Sequence, residues 1–225
     1  MVRLVLFDID GTLIRTGGAG MKAFGKVFAT EFGVVDGYKQ LNFGGRTDVS
    51  LVRELFGHHQ IEPTPENFAR FFERYAFWLD HLLAHSHGAT CPGVWEFIRG
   101  LQTLPQPPLL GLLTGNIRLG SEIKLRHFKL WDLFQVGAFG DDHEDRNQIA
   151  AIARQRGSRH LNEELRGHQV LVVGDTPHDV RCGKHIGAKV LAVATGGAKL
   201  EELKPQSPDW AVPDLTRVNA KEVCS

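Results

Sequence analysis

Cysteine is scarce in this 225-residue chain: Cys91, Cys182 and Cys224 are its whole complement, and no CxxC pair occurs. A disulfide framework needs more of them in closer pairs, so the thiols read as those of a reduced, intracellular protein. An excess of one charge is missing too, with Lys+Arg 26 against Asp+Glu 26. Nucleic-acid binders draw much of their affinity from a basic excess that displaces counterions, and the balance argues against that class of partner. No apolar run approaches the ~20 residues of a membrane span. The opening MVRLVLFDIDG places only Leu4 to Phe7 as an apolar run ahead of Asp8, too short for a secretory signal. The expectation is a cytoplasmic protein with neither a nucleic-acid nor a membrane partner. GxxxxGK[ST] and GxSxG are both absent, which removes P-loop and nucleophile-elbow chemistry.

What is present is ordinary globular composition, 42% hydrophobic and 23% charged, in a length that suits one large α/β domain or a core with a modest insert. Five short apolar runs recur: Leu4 to Phe7, Leu109 to Leu113, Val136 to Phe139, Val170 to Val173 and Val190 to Val193. They are apolar at consecutive positions, as in strands buried on both faces, and helix-like stretches separate them. The pattern predicts an α/β fold, a Rossmann-like parallel sheet with helices on both faces.

Between the first two runs lies an insert, residues 16–88, leaving residues 1–15 and 89–225 as the α/β core. Twelve of the chain's 20 aromatic residues fall in this insert. Phe24, Phe28 and Phe32 recur at i, i+4 and i+8, and Phe68, Phe71, Phe72, Tyr75 and Leu79 line a second amphipathic helix. The insert is expected to be a helical subdomain with an aromatic core. Gly18 to Ala23 fits GxGxxA but lies well past the first strand and reads as a hinge, not a dinucleotide loop. His81 and His85 share the polar side of the aromatic helix with Arg70 and Arg74 and read as solvated, not as zinc ligands.

Chemistry concentrates after the strands. Asp8-Ile9-Asp10-Gly11-Thr12 follows the first, where ligands bind in an open parallel sheet. Gly174-Asp175-Thr176-Pro177-His178-Asp179 follows the fourth and adds two acids to the same edge. Carboxylates without His or Cys partners are hard oxygen donors suited to Mg2+, and such a cation offsets their mutual repulsion. Thr114-Gly115-Asn116, after the second strand, offers a hydroxyl, backbone N–H groups and an amide to phosphate oxygens. Arg146, at the start of a helix after the third strand, offers a fixed cation.

In content and order these motifs resemble the haloacid dehalogenase superfamily, and within it the phosphoglycolate-phosphatase-like branch with a helical cap. The resemblance spans essentially the whole chain. It implies a Mg2+-dependent phosphatase acting on a small phosphorylated metabolite, with Asp8 attacking phosphorus to form an aspartyl-phosphate. It further implies that Asp10 protonates the leaving oxygen and then activates water. Asp8, the backbone carbonyl of Asp10 and Asp175 would hold Mg2+, supported by Asp179, while Thr114 and Arg146 hold phosphoryl oxygens. Lys is usual in the third motif, so Arg146 is a departure. Dehalogenation is disfavoured, because those members lack the second acid that Asp10 supplies. A β-phosphoglucomutase-like phosphomutase and a catalytically idle binding protein remain alternatives, and no oligomeric state follows. Phe43 to Asp48, with Arg46 as a fork for a second anionic group, is the segment expected to descend from the cap onto the site. The alternative for this segment is a helix cap at Thr47 or Asp48 with Arg46 solvated.

Overall fold

Every residue of β1 (Leu4–Phe7) is buried, as happens when a strand is covered on both faces. In the computed structural model, which describes residues 1–225, β1 is followed by a two-residue strand, β2 (Ile14–Arg15). Three helices come next, α1 (Ala19–Phe32), α2 (Asp48–His58) and α3 (Pro65–Ala84), and β3 (Ala89–Thr90) returns the chain to pair antiparallel with β2. Helices and strands then alternate: α4 (Val94–Gln102), β4 (Leu109–Leu113), α5 (Arg118–His127), β5 (Val136–Ala138), α6 (Arg146–Leu161), β6 (Val170–Gly174) and α7 (Pro177–His185). The chain closes with β7 (Lys189–Val193), α8 (Leu200–Leu203), β8 (Trp210–Val212) and α9 (Ala220–Cys224).

Six of the strands form one parallel sheet in the order β5-β4-β1-β6-β7-β8. Side chains alternate between the faces of a strand. Val5 and Phe7 therefore pack with Ile98, Leu101 and Val223 on one face, while Leu4 and Leu6 pack with Ile149, Ala153 and Cys182 on the other. The α/β, Rossmann-like architecture read from the apolar runs is the one observed. All five runs are strands, the third stopping at Ala138 because the Phe139 N–H turns to the Asp142 carboxylate. β8 adds a short, half-buried edge strand after Pro208 and before Pro213, which no apolar run announces.

The register aligns Phe7 with Leu112 and with Val173. Asp8, Thr114 and Asp175 thus leave the sheet along one edge. β1 is also the strand from which the order departs in two directions, to β4 and β5 on one side and to β6 and β7 on the other. In open α/β sheets the crevice beside such a strand is where ligands bind.

Over that edge lie α1, α2 and α3 around a second apolar cluster, to which Ile117, just before α5, also belongs. Phe71 is its centre, with ring centroids 5.0 Å from both Phe24 and Phe28. Thr47 and Thr64 cap α2 and α3 by accepting the Ser50 and Asn67 N–H groups. His81 is exposed on the far side of α3. Truncating Phe71 to Ala removes a fully buried ring and should cost about 3–5 kcal/mol of stability by chemical denaturation, whereas a loss under ~1 kcal/mol would show that the cluster closes around the gap.

Candidate active site

Three carboxylates come together at the sheet edge because three backbone features leave them no other place. Asp8 follows β1, its N–H donated to the Val173 carbonyl at 2.9 Å. Gly11 then turns the chain with φ 86°, and a Cβ at that position would lie 2.5 Å from Asp175 Oδ2. Thr12 donates its hydroxyl to Asp175 Oδ1 at 3.0 Å, and the Thr195 hydroxyl holds the Gly11 carbonyl. Asp179 sits in the first turn of α7, where its Oδ2 accepts from the Thr176 N–H and hydroxyl in a capping box.

Carboxylate oxygens of Asp8, Asp175 and Asp179 all lie within 4.8 Å of one another, and all three residues are buried. Burial pushes Asp8 up to about 7, with the Asp179 carboxylate adding to the effect and Arg146 opposing it. Asp175 is raised by the same burial and by Asp179 and Asp8. So crowded a set of hard oxygen donors fits a divalent cation, which would relieve both the desolvation and the repulsion.

Arg146, the first residue of α6, enters this group from the other side. Its guanidinium donates to Asp179 and lies 3.7 Å from Asp8 Oδ1. Burial alone would lower its pKa, but Asp179 and Asp8 outweigh that and keep it firmly charged. Its Nε is buried without a hydrogen-bond partner. An unsatisfied cationic donor beside the acids is a natural seat for an anionic oxygen.

The remaining expected residues border the same cavity, of about 770 Å3, with Asp8, Asp10, Thr114, Gly115, Asn116, Arg146 and Asp175 in its wall. Thr114 is fully buried, and its hydroxyl accepts from the Asn116 side-chain amide at 2.8 Å. Asn116 donates in turn to Asp10 Oδ2 at 2.9 Å. The motifs alone do not single out Lys124, yet its ammonium group reaches both Asp10 Oδ2 and Asn116 Oδ1 at 2.6 Å. The available signal is its place on α5, whose buried residues are Gly120, Ser121, Lys124 and Leu125, a face that ordinarily excludes lysine.

The helical layer closes the cavity from above. Asp48, the first residue of α2, donates its N–H to the Gly115 carbonyl at 2.8 Å and accepts the Ile117 N–H at 2.9 Å. Burial pushes its carboxyl up to about 6 against the pull of Lys124. Gly115 is needed here, since a side chain would strike the Arg46 backbone. Arg46 lines the cavity, but its guanidinium is paired with Glu54 and lies 3.4 Å from the Ser50 carbonyl, while Thr47 caps α2. Arg53 adds an exposed bidentate pair to Glu144, in the loop before α6.

A six-stranded parallel sheet with buried acids at its carboxyl edge defines a class of hydrolase, and the comparisons specify the family. The sequence profile of haloacid dehalogenase-like hydrolases matches residues 5–193. The chain belongs to that family and is an enzyme of its phosphatase type. The pyrophosphatase PpaX of Halalkalibacterium halodurans is 26% identical over 220 residues, covering 95% of each chain. Among solved structures, CbbY from Rhodobacter sphaeroides in complex with phosphate aligns with a TM-score of 0.76 at 20% identity, over 96% of this chain and 95% of that one. A predicted phosphoglycolate phosphatase from Haemophilus somnus aligns at 0.73 and 19% identity, over 95% of both. Phosphatases of this family generally use a divalent metal, in keeping with the acidic cluster.

The raised Asp8 value carries a stability consequence. Folding lifts it from an ordinary 3.8 to about 7, so the metal-free native state binds this proton more tightly than the unfolded chain. The group's contribution is most favourable below about pH 4 and is lost as pH rises through 7. In chelator-treated protein, Asp8→Asn should therefore raise the melting temperature markedly more at pH 8 than at pH 5. An equal shift at both pH values would show that Asp8 carries no such penalty.

Proposed function

We propose that the protein is a Mg2+-dependent phosphatase that hydrolyses a small phosphorylated metabolite, phosphoglycolate-like in bearing a further anionic group, through an aspartyl-phosphate on Asp8. The observation that carries this reading is the convergence of Asp8, Asp10, Asp175, Thr114 and Arg146 on one cavity at the carboxyl edge of the sheet. Residues 16–88 serve as the cap over a core of residues 1–15 and 89–225. The names of its relatives, a pyrophosphatase and a phosphoglycolate phosphatase, both describe substrates with charge beyond the transferred group. No helix is long and apolar enough to cross a membrane, and three free, buried thiols suit the cytoplasm.

In this reading an Asp8 oxygen attacks phosphorus as the bond to the leaving oxygen breaks, and Asp10 gives that oxygen its proton. Asp10 then takes a proton from the water that attacks phosphorus, which frees Asp8 and releases phosphate. Thr114 and Arg146 hold the phosphoryl oxygens through both steps, with Gly115 and Asn116 bordering the phosphate position. Mg2+, held by Asp8, the Asp10 carbonyl and Asp175 with Asp179 in support, supplies charge neutralisation when bound. Arg46 faces the substrate's second anionic group, which competes with Glu54 for the guanidinium.

The test is a panel of phosphometabolites that includes phosphoglycolate and pyrophosphate, assayed after chelation with and without Mg2+. Phosphate release that requires Mg2+, and falls at least ~1000-fold in Asp8→Asn, is expected. Near-wild-type turnover by a folded Asp8→Asn, or no release across the panel, overturns the proposal. For the cap, Arg46→Ala should raise KM about tenfold for a doubly anionic substrate and leave a simple aryl phosphate nearly unaffected. Equal effects on the two would leave Arg46 only its pairing with Glu54.

A further inference from the structure

Lysine is costly to bury, and a buried one needs partners that justify its place. Lys124 is 4% exposed, and both of its partners belong to the cavity wall. With Asp10 and Asn116 it forms a closed triangle. Lys124 and Asn116 both donate to Asp10 Oδ2, at 2.6 and 2.9 Å, and Lys124 also donates to Asn116 Oδ1 at 2.6 Å. Two consequences follow. Both donors engage the same Asp10 oxygen, and the other carboxylate oxygen is left without a protein partner. The Asn116 amide, for its part, has one possible orientation, since its nitrogen is committed to Thr114 and Asp10 and its oxygen to the ammonium group.

No second cation substitutes for Lys124 at Asp10, because Arg146 is engaged by Asp179 and Asp8. The helical layer also covers the lysine: a Cβ on Gly20 of α1 would lie 3.6 Å from its nitrogen and 3.8 Å from the Tyr75 hydroxyl of α3. On α5, Lys124 lies two turns beyond Ile117, whose N–H is held by Asp48. Its place thus depends on the same docking that closes the cavity.

We infer that Lys124 is a positioning residue that acts on the reaction through Asp10. It fixes one carboxylate oxygen and the Asn116 amide, so that the other oxygen is presented to the leaving group and then to water. The inference rests on the reading of Asp10 as the acid and base of phosphoester hydrolysis. A lysine that served only as a buried counter-charge would affect stability without discriminating between leaving groups, and one that touched substrate would affect KM.

The experiment compares Lys124→Met, Asp10→Asn and the double variant, each checked for fold by circular dichroism. The substrates are the alkyl phosphomonoester turned over fastest in the panel and p-nitrophenyl phosphate, whose leaving group needs no proton. The initial burst of nitrophenol reports phosphoryl transfer to the enzyme. Lys124→Met should lower kcat on the alkyl ester about tenfold to a hundredfold, move KM less than about threefold, and leave the burst rate within about threefold. Added to Asp10→Asn it should cost less than about twofold more, since residues that act as a unit are not additive. Lys124→Gln keeps a donor on the stem, and it should retain fold and show a smaller selective loss, so it carries the test if the Met variant is unstable. A rise in KM with kcat unchanged, or a full additional loss on top of Asp10→Asn, overturns the inference and leaves the Asp10 reading standing. Unimpaired alkyl turnover by Asp10→Asn overturns that reading and the inference with it.

Discussion

Three carboxylates forced into one buried space are the constraint around which this protein is organised. Left alone, Asp8, Asp175 and Asp179 would repel one another and seek solvent, and their burial makes ionisation harder still. The fold overcomes this with main-chain features that do not titrate. Strand register fixes where Asp8 and Asp175 leave the sheet, a left-handed glycine at 11 lets the two loops touch, and the capping box of α7 holds Asp179 inward. Arg146 contributes the one cation within the cluster. The result is a site whose repulsion is built in and would be relieved by a bound divalent cation, with the unpartnered Nε of Arg146 facing the same group of acids.

The helical layer, joined to the core through β2 and β3, answers a second constraint, that the cavity be covered. Its aromatic cluster meets the core at Ile117, Ile123 and Phe128, and polar contacts at the seam add to that packing. These are backbone groups of the loop after β4, met by Asp48 from both directions, with a glycine at 115 to allow the approach. Exposed pairs such as Arg53 with Glu144 add little energy in water, but they orient the layer at its rim. The seam therefore combines apolar packing around Ile117 with hydrogen bonds to one buried acid, Asp48.

The sheet was legible because burial on both faces leaves an unmistakable trace, a run of apolar residues with no alternation. β8 was not, because at an edge that pressure is absent and Trp210–Val212 is only three residues long. The acids were legible because each pair is local in sequence and placed directly after a strand. Arg146 was found from its position at a helix start, although its partner Asp179 lies 33 residues away. Arg46 shows where local reasoning divides: its loop borders the cavity and Thr47 caps the helix that follows, while the guanidinium pairs with Glu54 on that helix. Lys124 left no motif, and the pattern gave Asp48 and Tyr75 only a helix-cap and a core reading. Their meaning depends on helices from two distant parts of the chain meeting, and nothing in a single segment encodes that meeting.

The two buried cations divide the site in a way their chemistry explains. Arg146 brings one guanidinium nitrogen, Nη2, to both Asp179 and Asp8 from a fixed helix start. Lys124 stands where one carboxylate oxygen and one amide oxygen converge on a point, each at 2.6 Å, and a compact ammonium group meets that geometry better than a fork would. The acidic cluster and Asp10 are thereby held by separate cationic arms, from α6 and α5 respectively, and Gly20 of α1 lies close to the second. The helical layer is thus packed against the residue that holds Asp10, and one seam both covers the cavity and borders the network behind this carboxylate.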